Sequence, residues 1–102
     1  VARNSKLSQE AIDREQAEAW IGDAVLALAV RQWILRAGDG RTDGDQFARL
    51  TSNQFLSAWG HPTAVEARIG RLYAERGLEG VAEFVESELV PLFLKQERNR
   101  RR

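Results

Sequence analysis

The stretch Trp20-Ile-Gly-Asp-Ala-Val-Leu-Ala-Leu-Ala-Val-Arg-Gln-Trp-Ile-Leu-Arg-Ala37 decides the fold class. Its apolar residues recur at helical spacing on two faces at once. Ile21, Val25, Leu28 and Leu35 form one face; Ala24, Ala27, Val30 and Ile34 form another. A helix apolar on several sides is expected to be central and enclosed by its neighbours. Gly38 stands where a glycine would end it.

Upstream, Ser8 can cap a separate first helix with Gln9 and Glu10 in its opening turn. Downstream, Gly38-Asp-Gly-Arg-Thr-Asp-Gly44 is a polar connector. A third helix is expected from about Asp45 through Phe47, Leu50, Phe55 and Leu56, ending near Trp59-Gly60. Thr63 to Glu66 reads as a capping box that opens a fourth helix, running to Arg76 and stopped by Gly77. Leu78 to about Gln96 makes the fifth, kinked or divided at Pro91. No alternating strand pattern persists. The expectation is a single all-α domain, residues 1–102, of about five helices around a buried central one.

Composition narrows the function classes. The chain has 102 residues, 43% of them hydrophobic, with 15 basic and 15 acidic side chains. That is room for one core and too apolar for a disordered chain. Without cysteine there is no disulfide framework, thiolate metal site or thiol nucleophile. The longest apolar run, Ala24 to Val30, is far short of the roughly 20 residues a membrane span needs. With no signal-peptide pattern, an intracellular protein, cytoplasmic or organellar, is expected, with no membrane partner. The zero net charge conceals an asymmetry, because Arg98, Arg100, Arg101 and Arg102 crowd the last five positions. Residues 97–102 are expected to fray as a basic tail on a body that is acidic overall.

Asp23 does not fit a packing explanation. A carboxylate on the edge of an enclosed helix must be paired, metal-bound or open to a cleft, because burying it alone is costly. A bland reading pairs it with Arg68 or Arg71; Glu66 is likewise explained by the capping box alone.

Ala19-Trp-Ile-Gly-Asp-Ala-Val-Leu-Ala-Leu-Ala-Val30 resembles the signature helix of the ribonuclease III family, usually Glu-(Phe/Tyr)-Leu-Gly-Asp-Ala-Val/Ile-Leu. Thr63-Ala-Val-Glu-Ala-Arg-Ile-Gly-Arg-Leu-Tyr-Ala-Glu-Arg-Gly77 is similar to that family's second acidic helix. The two motifs come in the family's order, and the resemblance spans about residues 12–93.

The resemblance implies an all-helical endonuclease domain acting on double-stranded RNA. In that family four carboxylates bind divalent cations, normally Mg²⁺ and otherwise Mn²⁺, which activate water and stabilise the leaving oxygen. Asp23 and Glu66 match two of those catalytic and metal-ligand positions. At the other two stand Ala19 and Thr63, which supply no anion. Asp43 is a candidate third ligand from the connector. Glu18 lies roughly 140° around the helix from Asp23, and Asp13 and Glu15 reach the site only if the chain breaks near Ala17. The stretch between Asp43 and Glu66 is also shorter than in family enzymes.

The family's active form is a homodimer in which an aromatic at the signature's second position enters a pocket on the partner subunit. Trp20 occupies that place. Arg68 and Arg71 are candidate RNA contacts. His61, a lone histidine in a turn, reads as a loop residue rather than a ligand. Three readings follow: a dimeric, catalytically degenerate RNA-processing or RNA-binding element; a compact Mg²⁺-dependent endoribonuclease with fewer carboxylates; and a helical protein-interaction module without RNA.

Overall fold

Between Ser8 and Ala37 the chain holds no proline and a single glycine, and Glu10 to Ala19 is rich in strong helix formers. Nothing there stops a helix, and none stops. The computed structural model describes residues 2–100, with side chains from Ser8 onward, and places Ala2–Ala37 in one helix, α1. The separate helix capped by Ser8 is therefore corrected, and with it the break near Ala17.

Three short helical pieces follow. α2 (Gly44–Leu50) is capped by Asp43, whose carboxylate accepts the Gln46 N–H at 2.9 Å. α3 (Asn53–Leu56) is capped by the Ser52 hydroxyl, which accepts from the Phe55 N–H at 3.1 Å. A 3₁₀ turn, Ser57–Trp59, closes the segment at Gly60. Each cap side chain takes up a backbone donor that the first helical turn leaves free. These caps divide what the hydrophobic spacing alone joins into one helix.

α4 (Pro62–Phe84) begins two residues earlier than the capping-box reading requires. His61 is the N-cap: its Nδ1 accepts the Thr63 N–H at 3.3 Å, and Pro62 fills the first helical position. Thr63 is thus inside the helix, and the Thr63–Glu66 capping box is corrected. Gly77 interrupts α4 with φ 68 and ψ −168, at the place expected to break the helix. A wide π-helical turn, Val85–Leu89, then leads into α5 (Val90–Arg100). There the Val90 N–H reaches back to the Val85 carbonyl, and the widened turn gives the Pro91 ring room that a regular turn denies it. α5 stays helical through Arg98 and Arg100, with Arg100 donating to Glu97 at 3.2 Å, so the frayed tail is corrected to that point. Residues 101 and 102 lie outside the described ones.

Three long helices, α1, α4 and α5, rather than the five expected, carry the architecture, and no strand occurs among the described residues. The core packs Leu26, Ala29, Val30 and Ile34 of α1 against Val65 and Ile69 of α4. Leu50, Phe55 and Leu56, and Val81, Val85, Leu89 and Phe93 from the later helices, complete the same core. Phe55 stands edge-on to Trp59 and to Phe93, with ring centroids 5.3 and 5.9 Å apart. Trp33 and Trp59 pack against this core.

The enclosed central helix is also corrected. Only one side of α1 is covered. Trp20 is 80% exposed, and Ile21, Leu28 and Leu35 are exposed as well. Two apolar faces were legible, but periodicity carries no sign of which one the chain itself covers. Among the described residues, no helix is long and apolar enough to cross a membrane.

Candidate acidic site at the helix crossing

Two pentapeptides of one pattern meet where α1 crosses α4. Glu18-Ala-Trp-Ile-Gly22 and Glu66-Ala-Arg-Ile-Gly70 share every residue but the third. Gly22 lies against the Glu66 carbonyl, and a methyl group there would overlap that oxygen and come within 2.9 Å of the Gly70 nitrogen. Gly70 lies in the same way against the Glu18 carbonyl, with the Gly22 nitrogen next to it. The missing side chains let the two backbones touch, and Cα–H groups then face carbonyl oxygens across the crossing. Ala19 and Ala67, both buried, are the small residues flanking the contact.

This approach fixes what lies beside each glycine. Asp23 follows Gly22, and its carboxyl comes within hydrogen-bonding reach of the Glu66 carboxyl. Arg71 follows Gly70 and donates from Nη1 to Glu18 Oε1 at 3.0 Å. The crossing thus pairs each glutamate with the residue after the opposite glycine. One pair is an ion pair and the other is two acids. Asp23 finds neither Arg68 nor Arg71, so the bland pairing is not observed.

Partial burial, then the hydrogen bond and charge of Asp23, push the Glu66 carboxyl up to about 7 from its usual 4.5. No ion pair reaches Asp23 or Glu66 among the described residues. Two like charges in contact without a cation are relieved by keeping a proton between them. Near neutral pH a large fraction of molecules therefore holds one.

The other candidate ligands lie elsewhere. Ala19 is buried in the crossing and Thr63 sits in the first turn of α4. Asp43 caps α2 and lines a separate cleft with Arg31, Leu35 and Phe47. Glu18 is held by Arg71, and Asp13 accepts from Gln9 Nε2 at 2.9 Å on the exposed part of α1. Among the described residues, no group of three or more His, Cys, Asp or Glu is placed to hold a metal ion. Asp23 and Glu66 fit a single hard divalent cation completed by water. They do not fit the two ions of a two-metal displacement, whose ligand demand exceeds two carboxyls.

Arg68 and Arg71 stand roughly 200° and 140° around α4 from Glu66 at about 100° per residue. They line a cleft on that far side rather than the acidic site. Trp20 is exposed on α1 and touches nothing that would make it core. The residues not anticipated are the two glycines and the Glu18–Arg71 pair. Their signal was present in the sequence as the repeated Glu-Ala-x-Ile-Gly. No protein-family model, no curated protein and no solved structure matches this chain.

Proposed function

We propose that the chain is a ribonuclease III-like helical domain with a reduced metal set, which pairs with a second copy and serves RNA processing as a binding or structural element. The observation that carries this reading is the meeting of Asp23 and Glu66. The two stretches that resemble the family's acidic helices cross each other, and their two surviving carboxyls come together at that crossing. Ala19 and Thr63 leave the site short of charge for two ions, which argues against efficient cleavage.

Pairing is supported by the open side of α1. Ala17, Ile21, Ala24 and Leu28 form an exposed apolar stripe at steps of four, three and four, with Leu35 seven residues further on and Trp20 beside it. Within residues 10–18, Glu10, Asp13, Glu15 and Glu18 outnumber Arg14, while Arg31 and Arg36 are the charged residues between 24 and 37. An antiparallel second copy would place unlike charges opposite each other. Double-stranded or structured RNA is the partner that the resemblance brings.

The convergence of the two carboxyls also favours a second reading, a compact Mg²⁺- or Mn²⁺-dependent endoribonuclease cutting double-stranded RNA. A cation bound by Asp23 and Glu66 would polarise a phosphate oxygen or a water. A third reading, an interaction module without RNA, draws on the same exposed stripe. Duplex RNA incubated with Mg²⁺ or Mn²⁺ separates the three. The proposal expects salt-sensitive binding without cleavage. Cleavage by wild type that Asp23→Asn abolishes would establish the nuclease, and no binding at any salt concentration would establish the interaction module.

A further inference from the structure

The segments on either side of Gly77 wall a cleft of about 340 Å³ on the side of α4 turned away from Glu66. Arg68, Arg71, Arg76 and one carboxylate, Glu75, come from the first segment, and Glu83 and Phe84 from the second. The positive φ of Gly77 makes the turn between them, and Gly80, lacking a side chain, leaves space for the stem of Arg76.

The three guanidinium groups are not equally committed. Arg71 gives one nitrogen to Glu18, and Arg76 gives one to Glu83 at 2.8 Å. Arg68 has no carboxylate partner among the described residues, and its guanidinium stands 5.2 Å from the centre of the Phe84 ring. Phe84 itself is buried, so Arg68 rests on a fixed apolar platform. A guanidinium held over a ring keeps its edge N–H groups available, and Arg71 and Arg76 retain further donors.

We propose that this cleft binds the phosphate group of a small phosphomonoester, with Arg68 as the primary contact and Arg76 as a second donor released from Glu83. A tetrahedral dianion matches several guanidinium forks better than a single carboxylate does. The volume suits a ligand of nucleotide size, and Phe84 with Leu72 offers an apolar floor. The cleft shares Arg71 with the α1–α4 crossing, but it does not include Asp23 or Glu66 and does not depend on the function proposed for them. Glu83 competes with the ligand for Arg76, which gives the site a distinctive response to mutation.

The test is an NMR titration of the full chain with inorganic phosphate and with a nucleoside monophosphate, with sodium chloride at matched ionic strength as the control. The proposal expects saturable shifts confined to residues 68–76 and 80–87. Arg68→Gln, an exposed change, should weaken the affinity about tenfold, and Glu83→Gln should strengthen it severalfold by freeing Arg76. If inorganic phosphate binds but the monophosphate does so no better, the site is one for the free ion and the phosphomonoester assignment fails. Shifts that never saturate, that centre on Arg98 and Arg100, or that persist unchanged in Arg68→Gln would overturn the proposal. Weaker binding in Glu83→Gln would overturn the part given to Arg76.

Discussion

Gly22 and Gly70 face each other where α1 crosses α4, each against the carbonyl oxygen of a glutamate four residues before the other. The contact is between backbones, so it has no rotamer to adjust and no side chain to yield. It also sets the distance between the carboxyls of Asp23 and Glu66, since each of these sits one residue or one turn from a glycine.

Gly22→Ala and Gly70→Ala should each destabilise the protein by about 3 kcal/mol, because the new methyl group must push two helices apart. The sign is diagnostic. In an exposed helix interior the same change stabilises by about 1 kcal/mol through helix propensity. Urea denaturation of the two variants reads it directly, and a gain in stability for either would remove the backbone contact.

Glu66→Gln should change how stability depends on pH. The folded carboxyl titrates at about 7 and the unfolded one near 4.5. Between those values the native state holds a proton that the unfolded state has lost, so stability falls as pH rises through this window. Above it the native pair is fully ionised and the loss is complete. The glutamine variant should flatten that slope and be more stable at pH 8 by on the order of 1 kcal/mol, after allowing for the partial exposure of the site. Thermal melts at pH 5, 6, 7 and 8 measure both effects, and parallel curves for the two proteins would refute the shared proton.

A divalent cation at the acidic pair must displace that proton. Mn²⁺ binding, followed by relaxation of water protons, should therefore tighten as pH rises from 6 to 8 and release close to one proton per ion at the lower end. Asp23→Asn should weaken binding at least tenfold. Binding that ignores pH would place the ion elsewhere.

Trp20→Ala should shift sedimentation from dimer toward monomer while leaving the thermal melt of the monomer within about 0.5 kcal/mol, as expected for a residue 80% exposed in a single chain. An unchanged mass would remove Trp20 from any interface between copies.

His61→Ala should cost about 1 kcal/mol through loss of the α4 N-cap. His61→Asp should recover that loss, because a carboxylate both accepts the backbone N–H and suits the positive end of the helix. Thr63→Ala, the change that a capping box would make costly, should have the smaller effect of the two positions.

The sequence made much of this legible and left some of it hidden for physical reasons. Gly77 and Pro91 marked real interruptions, the glycine because it admits a positive φ that other residues resist and the proline because its ring fixes φ and removes a donor. The all-helical class followed from spacing that no alternating pattern opposed. Thr63 misled because Pro62 at the first helical position moves the cap back to His61, and capping-box spacing does not register that shift. The coverage of α1 was hidden because Ile21 and Leu28 have the same periodic signature whether buried by this chain or left open. The resemblance put Asp23 and Glu66 at ligand positions, but spacing alone explained Glu66 equally well as part of a cap and did not disclose their meeting. Its cause, the twice-written Glu-Ala-x-Ile-Gly, was plain in the letters but silent until the two copies were seen to touch.

At 1.5 Å per residue a helix of 36 residues is about 54 Å long, and the longest dimension of the molecule is 54 Å. The core engages α1 from Ala19 onward, while residues 8–17 are exposed throughout. That overhang is a lever whose fulcrum is Gly22. The fulcrum has no slack, so a tilt imposed on the arm is transmitted to the crossing rather than absorbed in side chains. A partner that grips the arm would therefore load the Gly22–Gly70 contact first, next to Asp23 and Glu66.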